Sequence, residues 1–358
     1  MSITVSIIGT GSVLPDQIVP NSAFLHHEFY NHDGEPFAHS NEVIIQKFEE
    51  ITEIHERRYM TPEQQCSDLG VIAARRAIED AGIDPESLDL IIVTHNFGDI
   101  AFESRHNDQM PPLASRVKAG LGIRNPDAVA FDILAGCPGW VQSVLTAQSY
   151  MVAGHAKRAL VVGNEALSRT VDKHDRDGMI FADGAGAVVL EAGQDNPSNI
   201  LGRAMRTYTD NGTAFYLKSN PSNKIGSDPK EMLIKMKGRK IYEFALRNVP
   251  DGMKAALDNA GMHLRDVKKI FIHQANAKLD HAVIERLYKL YGMKVSDVDA
   301  IAPMSIQWLG NSSVATVPTL LDMVLKENYQ GHNVQRGDIL LFASVGAGMT
   351  VNAFVYRW

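Results

Sequence analysis

Cys137, His273 and Asn311 are the residues whose types and settings could make and break covalent bonds. Cys137 stands in Phe131-Asp132-Ile133-Leu134-Ala135-Gly136-Cys137-Pro138-Gly139-Trp140, and the apolar run from Ala128 to Ile133 reads as a buried strand. Pro138 suits the first position of a helix, where its missing N–H loses no partner. The apolar pattern from Trp140 to Val152 continues that helix, so Cys137 falls at the N-cap. The helix dipole there favours the thiolate and lowers a thiol pKa from about 8.5 toward neutrality. The expected chemistry is nucleophilic attack beside backbone N–H groups able to hold an oxyanion. A small cysteine that merely packs in a core fits the same segment.

His273 closes the apolar run Ile270-Phe271-Ile272, and strand ends are where open α/β sheets place their sites. Taken alone, it also reads as a satisfied core histidine. Asn311, in Gly310-Asn311-Ser312-Ser313 before an apolar run, carries an ordinary N-cap signature. Gly346-Ala347-Gly348 follows the last long strand, and its small residues let backbone approach a ligand closely. An N–H from this run could complete an oxyanion hole with the amide of Cys137. A simple bend at a strand end is the plain alternative.

A duplication would bring these residues together. Ala77-Ile78-Glu79-Asp80-Ala81-Gly82 leads to the strand Leu90-Ile91-Ile92-Val93-Thr94, and Ala256-Leu257-Asp258-Asn259-Ala260-Gly261 leads in the same way to Lys269-Ile270-Phe271-Ile272-His273. Each half then reaches a turn with a polar residue (Cys137, Asn311), an apolar helix, and a strand (Ala159 to Val162, Ile339 to Ala343). Alternating strands and helices imply parallel sheets covered on both faces. Two halves are expected, 1–195 with the cysteine and 196–358 with the histidine and asparagine, joined near the polar stretch Gly193 to Ser198. Asp183-Gly184-Ala185-Gly186-Ala187 reads as a closely packed turn before a strand. Gly9-Thr10-Gly11-Ser12 begins like a dinucleotide loop, but Leu14-Pro15 replaces the third glycine, and the signal is discounted.

The bulk properties narrow the class. The 358 residues carry 35 basic and 42 acidic side chains, a net charge of -7, which gives no footprint for nucleic acid. Two cysteines cannot build a disulfide framework, so a reducing, cytoplasmic setting is expected. The start Met1-Ser2-Ile3-Thr4-Val5-Ser6-Ile7-Ile8 reads as a strand and not as a signal peptide, and no apolar run is long enough to span a membrane. His26, His27 and His32 lie in a polar loop without ligand spacing, so no metal is expected.

Together these motifs resemble the beta-ketoacyl-acyl-carrier-protein synthase III family of the thiolase superfamily. The resemblance runs nearly end to end through Glu56-Arg57-Arg58, Phe131-Asp132, Gly136-Cys137, Asp183 to Ala187, His273-Gln274-Ala275-Asn276, Gly310-Asn311-Ser312-Ser313 and Gly346-Ala347-Gly348. It implies a thiolase-like five-layered αβαβα fold, a homodimer, and no cofactor beyond coenzyme A or acyl-carrier-protein thioesters as substrates. It implies that Cys137 carries the acyl group, while His273 and Asn311 hold the malonyl thioester oxygen. It also implies an oxyanion hole from the amides of Cys137 and Ala347, an orienting role for Asn276, and docking of the carrier protein at Lys278. The family's coenzyme-binding Trp and Arg are replaced by Lys47 and Ile51. Phe24 to Asn41 and Glu103 to Met110 are longer and more polar than usual, and Pro138 and Trp140 follow the cysteine. These departures suggest an unusual primer. A condensing enzyme of secondary metabolism is one alternative, and a Cys-His-Asn hydrolase is a remote one.

Overall fold

The computed structural model describes residues 3–104, 106–194 and 196–358. Met1, Ser2, Arg105 and Asp195, the last at the expected junction of the halves, lie outside the described residues. The first half runs β1 (Ile3–Val13), β2 (Gln17–Pro20), α1 (Asn41–Thr52), β3 (Glu56–Tyr59), α2 (Cys66–Ala81), β4 (Leu90–His95) and α3 (Leu113–Gly120). It continues with β5 (Val129–Leu134), α4 (Gly139–Val152), β6 (Arg158–Ala166) and β7 (Asp183–Gln194). The second half begins with β8 (Asn199–Thr207), β9 (Leu217–Asn220), β10 (Leu233–Met236), α5 (Gly238–Asn259), β11 (Val267–Ile272) and α6 (Ala277–Leu290). It ends with α7 (Ile306–Leu309), α8 (Thr316–Glu327), β12 (Ile339–Gly346) and β13 (Thr350–Arg357).

Two mixed sheets, β1-β7-β6-β4-β5 and β11-β12-β13-β8, enclose the apolar helices α4 and α8. Trp140, Leu145, Leu320 and Val324 of these helices pack between Ile92 and Val161 on one sheet and Phe271, Phe342 and Phe354 on the other. Helices α2 and α3 cover the outer face of the first sheet, and α5 and α6 that of the second. The layers therefore run helix, sheet, helix, sheet, helix, which is the thiolase-like α/β fold. Burial between the two sheets explains why most of α4 is apolar and buried, with Gln142, Thr146, Gln148 and Ser149 on its remaining side, whereas the outer helices carry one apolar stripe.

The halves repeat each other in detail. Leu90 pairs with Ala159, then Leu190, then Ile7; Lys269 pairs with Leu340, then Tyr356, then Ile200. Two residues beyond those ends, Gly9 and Gly202 occupy equivalent places. A Cβ at Gly9 would lie 2.3 Å from the carbonyl oxygen of Ala77, and one at Gly202 2.4 Å from the amide of Ala260 and 2.6 Å from the carbonyl of Ala256. The glycines of the discarded dinucleotide pattern thus let α2 lie directly on β1.

Three expectations are corrected. β5 is not a buried strand: it is the edge of its sheet, with Val129 56% and Leu134 67% exposed. Asp183 to Ala187 is not a turn but the start of β7, where Gly186 admits Pro318 and Thr319 of α8. The sheets are not parallel throughout but mixed: β1 with β7, β7 with β6, β12 with β13 and β13 with β8 all pair antiparallel, because these neighbours are joined along one sheet without a crossover helix between every pair.

Replacing Gly9 with Ala forces helix and strand apart. The expected loss is about 2–3 kcal/mol, typical of overpacking against rigid backbone. Urea unfolding monitored by circular dichroism checks it, with Gly193→Ala, where a Cβ meets only Asn196 at 4.0 Å, as the comparison.

Candidate active site

Cys137 sits on the turn between β5 and α4, 8% exposed. The helix begins at Gly139 with Pro138 as its N-cap, one residue later than expected. Gly139 N–H bonds the Gly136 carbonyl at 2.7 Å, which tightens the turn around the cysteine. The end of β12 lies against this turn as bare backbone: a Cβ on Gly346 would stand 2.8 Å from the Cys137 amide nitrogen and 2.6 Å from Pro138 Cδ. A Cβ on Gly136 would likewise stand 3.1 Å from the Ala347 amide nitrogen. The amides of Cys137 and Ala347 thus meet from the two halves.

The thiol does not have the low pKa expected from the helix dipole. Burial pushes it up to about 12, opposed by a hydrogen bond from Ser313 and reinforced by the charge of Glu165. A dipole effect of about 1 kcal/mol is smaller than the desolvation of a buried thiolate. The free site therefore holds a neutral thiol, with Ser313 Oγ donating to Cys137 Sγ at 3.5 Å.

His273 follows β11 and continues its ladder through N–H to the Ala343 carbonyl. Its Nδ1 lies 2.8 Å from Thr316 Oγ1, which in turn is 3.0 Å from the Ser313 carbonyl. Burial pushes the imidazole down to about 3, so it is neutral. Asn311 is pinned by backbone bonds to Ile180 and Ala182. Its Oδ1 accepts the Ser313 N–H at 2.8 Å, which leaves Nδ2 as the free donor end of the amide. Ser313 adopts φ 51°, a left-handed conformation that costs a non-glycine residue about 1–3 kcal/mol.

The surrounding motif residues hold this arrangement. Gln274 accepts the amides of Ser305 and Ile306, fixing the chain that enters the Asn311 turn. Asn276 lines the cavity and caps α6 through its Oδ1, which accepts from Leu279 N–H. Arg57 is fully buried, donates to Met179, Val19 and Asn21, and sits under Gly310, where a Cβ would be 2.6 Å from its own. Asp132 caps α3 through the amides of Leu113 and Ala114 and bonds His95, whose Nδ1 accepts from Gly98. Lys278 is exposed and donates to the Glu50 carbonyl at the end of α1.

Cys137, His273 and Asn311 line one cavity of about 570 Å³. Its walls are apolar, with Ile44, Phe48, Leu217, Met236 and Leu279, and its lining also carries Lys47, Ile51, Arg176, Asp177 and Arg239. Lys47 and Ile51, expected at altered coenzyme contacts, are both part of this lining. Sequence reasoning missed Arg176, whose guanidinium lies 4.5 Å from the Phe37 ring, because nothing local links a polar loop to a residue far along the chain. It read Ser313 only as part of the Asn311 turn and missed Thr316, Asn96 and Glu165, which only the meeting of the halves brings toward the cysteine. Among the described residues, no group of three His, Cys, Asp or Glu side chains could hold a metal, and no helix is long and apolar enough to cross a membrane.

Fold and site together define a thiolase-like acyltransferase. Residues 131–209 match the model of the 3-oxoacyl-[acyl-carrier-protein (ACP)] synthase III family, and residues 257–358 match that family's C-terminal model. Over 361 aligned residues the chain is 32% identical to a beta-ketoacyl-[acyl-carrier-protein] synthase III of Erythrobacter litoralis, covering 99% of this chain and 100% of the relative. The solved 3-oxoacyl-[acyl-carrier-protein] synthase III of Aquifex aeolicus is 29% identical with a TM-score of 0.79, covering 99% of this chain and 100% of the other. The priming beta-ketosynthase of the R1128 polyketide pathway is 25% identical with a TM-score of 0.80, covering 99% and 96%. The chain belongs to the beta-ketoacyl-[acyl-carrier-protein] synthase III family.

The buried neutral imidazole links site and stability. Below pH 6.5 the unfolded chain protonates His273 while the folded chain does not, so stability falls as the pH drops toward about 3. Replacing His273 with Asn should flatten this loss. Urea midpoints of both proteins between pH 4 and 7 read the difference, which should grow toward the acid end.

Proposed function

We propose that the chain condenses malonyl carrier protein with an acyl primer, initiating fatty-acid synthesis through an acyl group carried on Cys137. The observation that carries this reading is the convergence of a thiol, a neutral imidazole and an oriented amide on one apolar cavity. The sulfur attacks the primer thioester and the amides of Cys137 and Ala347 hold the tetrahedral oxyanion. The donor thiol leaves, and the acyl-enzyme remains. The malonyl thioester oxygen then sits against Asn311 Nδ2 and His273 Nε2. Loss of CO2 leaves its electron pair as an enolate on that oxygen, and each donor contributes about 3–4 kcal/mol to holding it. The enolate carbon attacks the acyl carbonyl and releases Cys137. His273 donates from Nε2 in the tautomer whose Nδ1 is unprotonated, which requires the Thr316 hydroxyl to turn from the Ser313 carbonyl to Nδ1.

The cationic groups lining the cavity, Lys47, Arg176 and Arg239, suit an acidic carrier protein or a phosphate-bearing thioester. Lys278 stands beside α1 in the same region. Lys47 and Ile51 favour a primer other than the usual acetyl-coenzyme A. Both cysteines are free, which suits a cytoplasmic setting. An open, apolar β5 edge, joined to α4 by the Phe131–Tyr150 ring contact, is the natural place for a second copy to complete a homodimer.

Mass spectrometry of the Cys137 peptide after incubation with acyl-coenzyme A and acyl-carrier-protein thioesters, short to long, tests the reading. One of them should add its acyl mass to Cys137, and Cys137→Ala should abolish this while retaining the fold; an unmodified wild-type peptide throughout overturns the assignment. His273→Ala should retain loading but lose malonyl decarboxylation by about 10²–10³-fold, the scale of a lost oxyanion donor. For the dimer, Leu134→Lys should halve the mass read by light scattering.

A further inference from the structure

Glu165, near the end of β6, is a buried carboxyl that the reaction above does not use. Asn96 Nδ2 donates to its Oε1, and the Asn96 amide lies 3.4 Å from its Oε2. The same Nδ2 donates to Ser313 Oγ at 3.0 Å. Ser313 Oγ donates to Cys137 Sγ at 3.5 Å and, bridged to Glu165 through Asn96 Nδ2, is near enough to the carboxyl to favour its charged form. A hydroxyl has one proton to give and two lone pairs to receive with. With Asn96 donating to it, Ser313 can aim its single proton at the sulfur or at the carboxylate, but not at both.

We propose that Glu165, in its neutral acid form, is a positioning residue for the nucleophile: it donates to Ser313 Oγ and turns that hydroxyl's proton onto Cys137 Sγ. This rests on the reading of Cys137 as the nucleophile. The acid proton, the Asn96 amide and the Ser313 hydroxyl then form one directed chain ending at the sulfur, where it stabilises a thiolate. Ionised, Glu165 can only accept. It draws the Ser313 proton into a stronger, charge-assisted bond and places a negative charge beside the sulfur. Both effects oppose the thiolate.

Burial pushes Glu165 up to about 8, so the neutral form prevails at neutral pH and is lost just above it. Other titratable groups lie around it. Asp183, at the start of β7, is raised to about 6 and bonds Ser168 and Met60. Cys66, at the start of α2, is pushed well above the usual thiol range. His95 precedes Asn96 and is bonded to Asp132 at 3.0 Å. A break near pH 8 that disappears in Glu165→Gln belongs to Glu165.

Alkylation of Cys137 by iodoacetamide, followed peptide by peptide from pH 6.5 to 9.5, needs no acyl substrate and reads thiolate availability directly. Below pH 8 the wild-type rate should climb about tenfold per pH unit, as for any thiol far below its pKa. Above pH 8 it should level off, because each further thiolate gained is offset by loss of neutral Glu165. Glu165→Gln, whose amide can donate to Ser313 but cannot ionise, should keep climbing and exceed wild type by tenfold or more at pH 9.5. Ser313→Ala should be slower than wild type below pH 8. An unbroken wild-type profile overturns the proposal, even if the variants do not fold. So does a Glu165→Gln profile that breaks at the same pH, or one slower than wild type throughout, which would make Glu165 the thiol's proton acceptor. Failure of every acyl donor to load Cys137, by contrast, would overturn the enzymatic reading while leaving this profile to be read.

Discussion

Gly346 meets the Cys137 turn, Gly163 meets the Val314 carbonyl, and Gly186 meets Pro318 and Thr319, in each case with no room for a Cβ. These three contacts join the halves backbone to backbone. They seat the turn before α8 against β6 and the end of β12 against the turn before α4. Any side chain added there would push one half off the other by an ångström or more. The sulfur, the imidazole and the asparagine amide come from separate turns, so such a shift would separate them before it unfolded anything. Bare backbone at the junction is what the rest of the site depends on.

The same contact explains the electrostatics. Packing two halves face to face removes water from every group at the seam, so Cys137 and Glu165 are pushed up and His273 down, all by burial. All three are consequently neutral near pH 7. These three groups carry no charge of their own, although Lys47, Arg176, Asp177 and Arg239 line the same cavity. Donors that lose little to water in such a place act most strongly on a developing charge. The strained Ser313 conformation is part of this arrangement: it turns one amide to Asn311 and one hydroxyl to Cys137 from a single residue.

Much of this was legible in the sequence because it is written locally. Gly136-Cys137-Pro138 and Gly310-Asn311-Ser312 mark turns, His273 marks the end of an apolar strand, and the Ala-Gly helix ends reveal the repeat. Two kinds of feature were not legible. β5 reads as buried because its residues are apolar, but periodicity cannot distinguish a strand covered by its own chain from one left at an edge. The thiol reads as acidic because the helix dipole is visible in the sequence, whereas the desolvation that outweighs it depends on the other half of the chain.

The second limit also accounts for the residues that went unnoticed. Asn96 and Glu165 carry no motif, Ser313 is legible only as the end of the Asn311 turn, and Asn96 is separated from the other two by 69 and 217 positions. Each is ordinary where it stands: Asn96 follows a strand, Glu165 lies near the end of another, and Ser313 follows a cap. Only the pseudo-twofold packing gives them a shared function, since it sets the Ser313 turn of one half against the β4 and β6 ends of the other. A duplicated fold can thus place its buried thiol in one copy and its neutral imidazole and oriented amide in the second. The polar side chains between them hold the two in register, because a buried hydrogen-bonding group left unpaired is costlier than the small gain from pairing it.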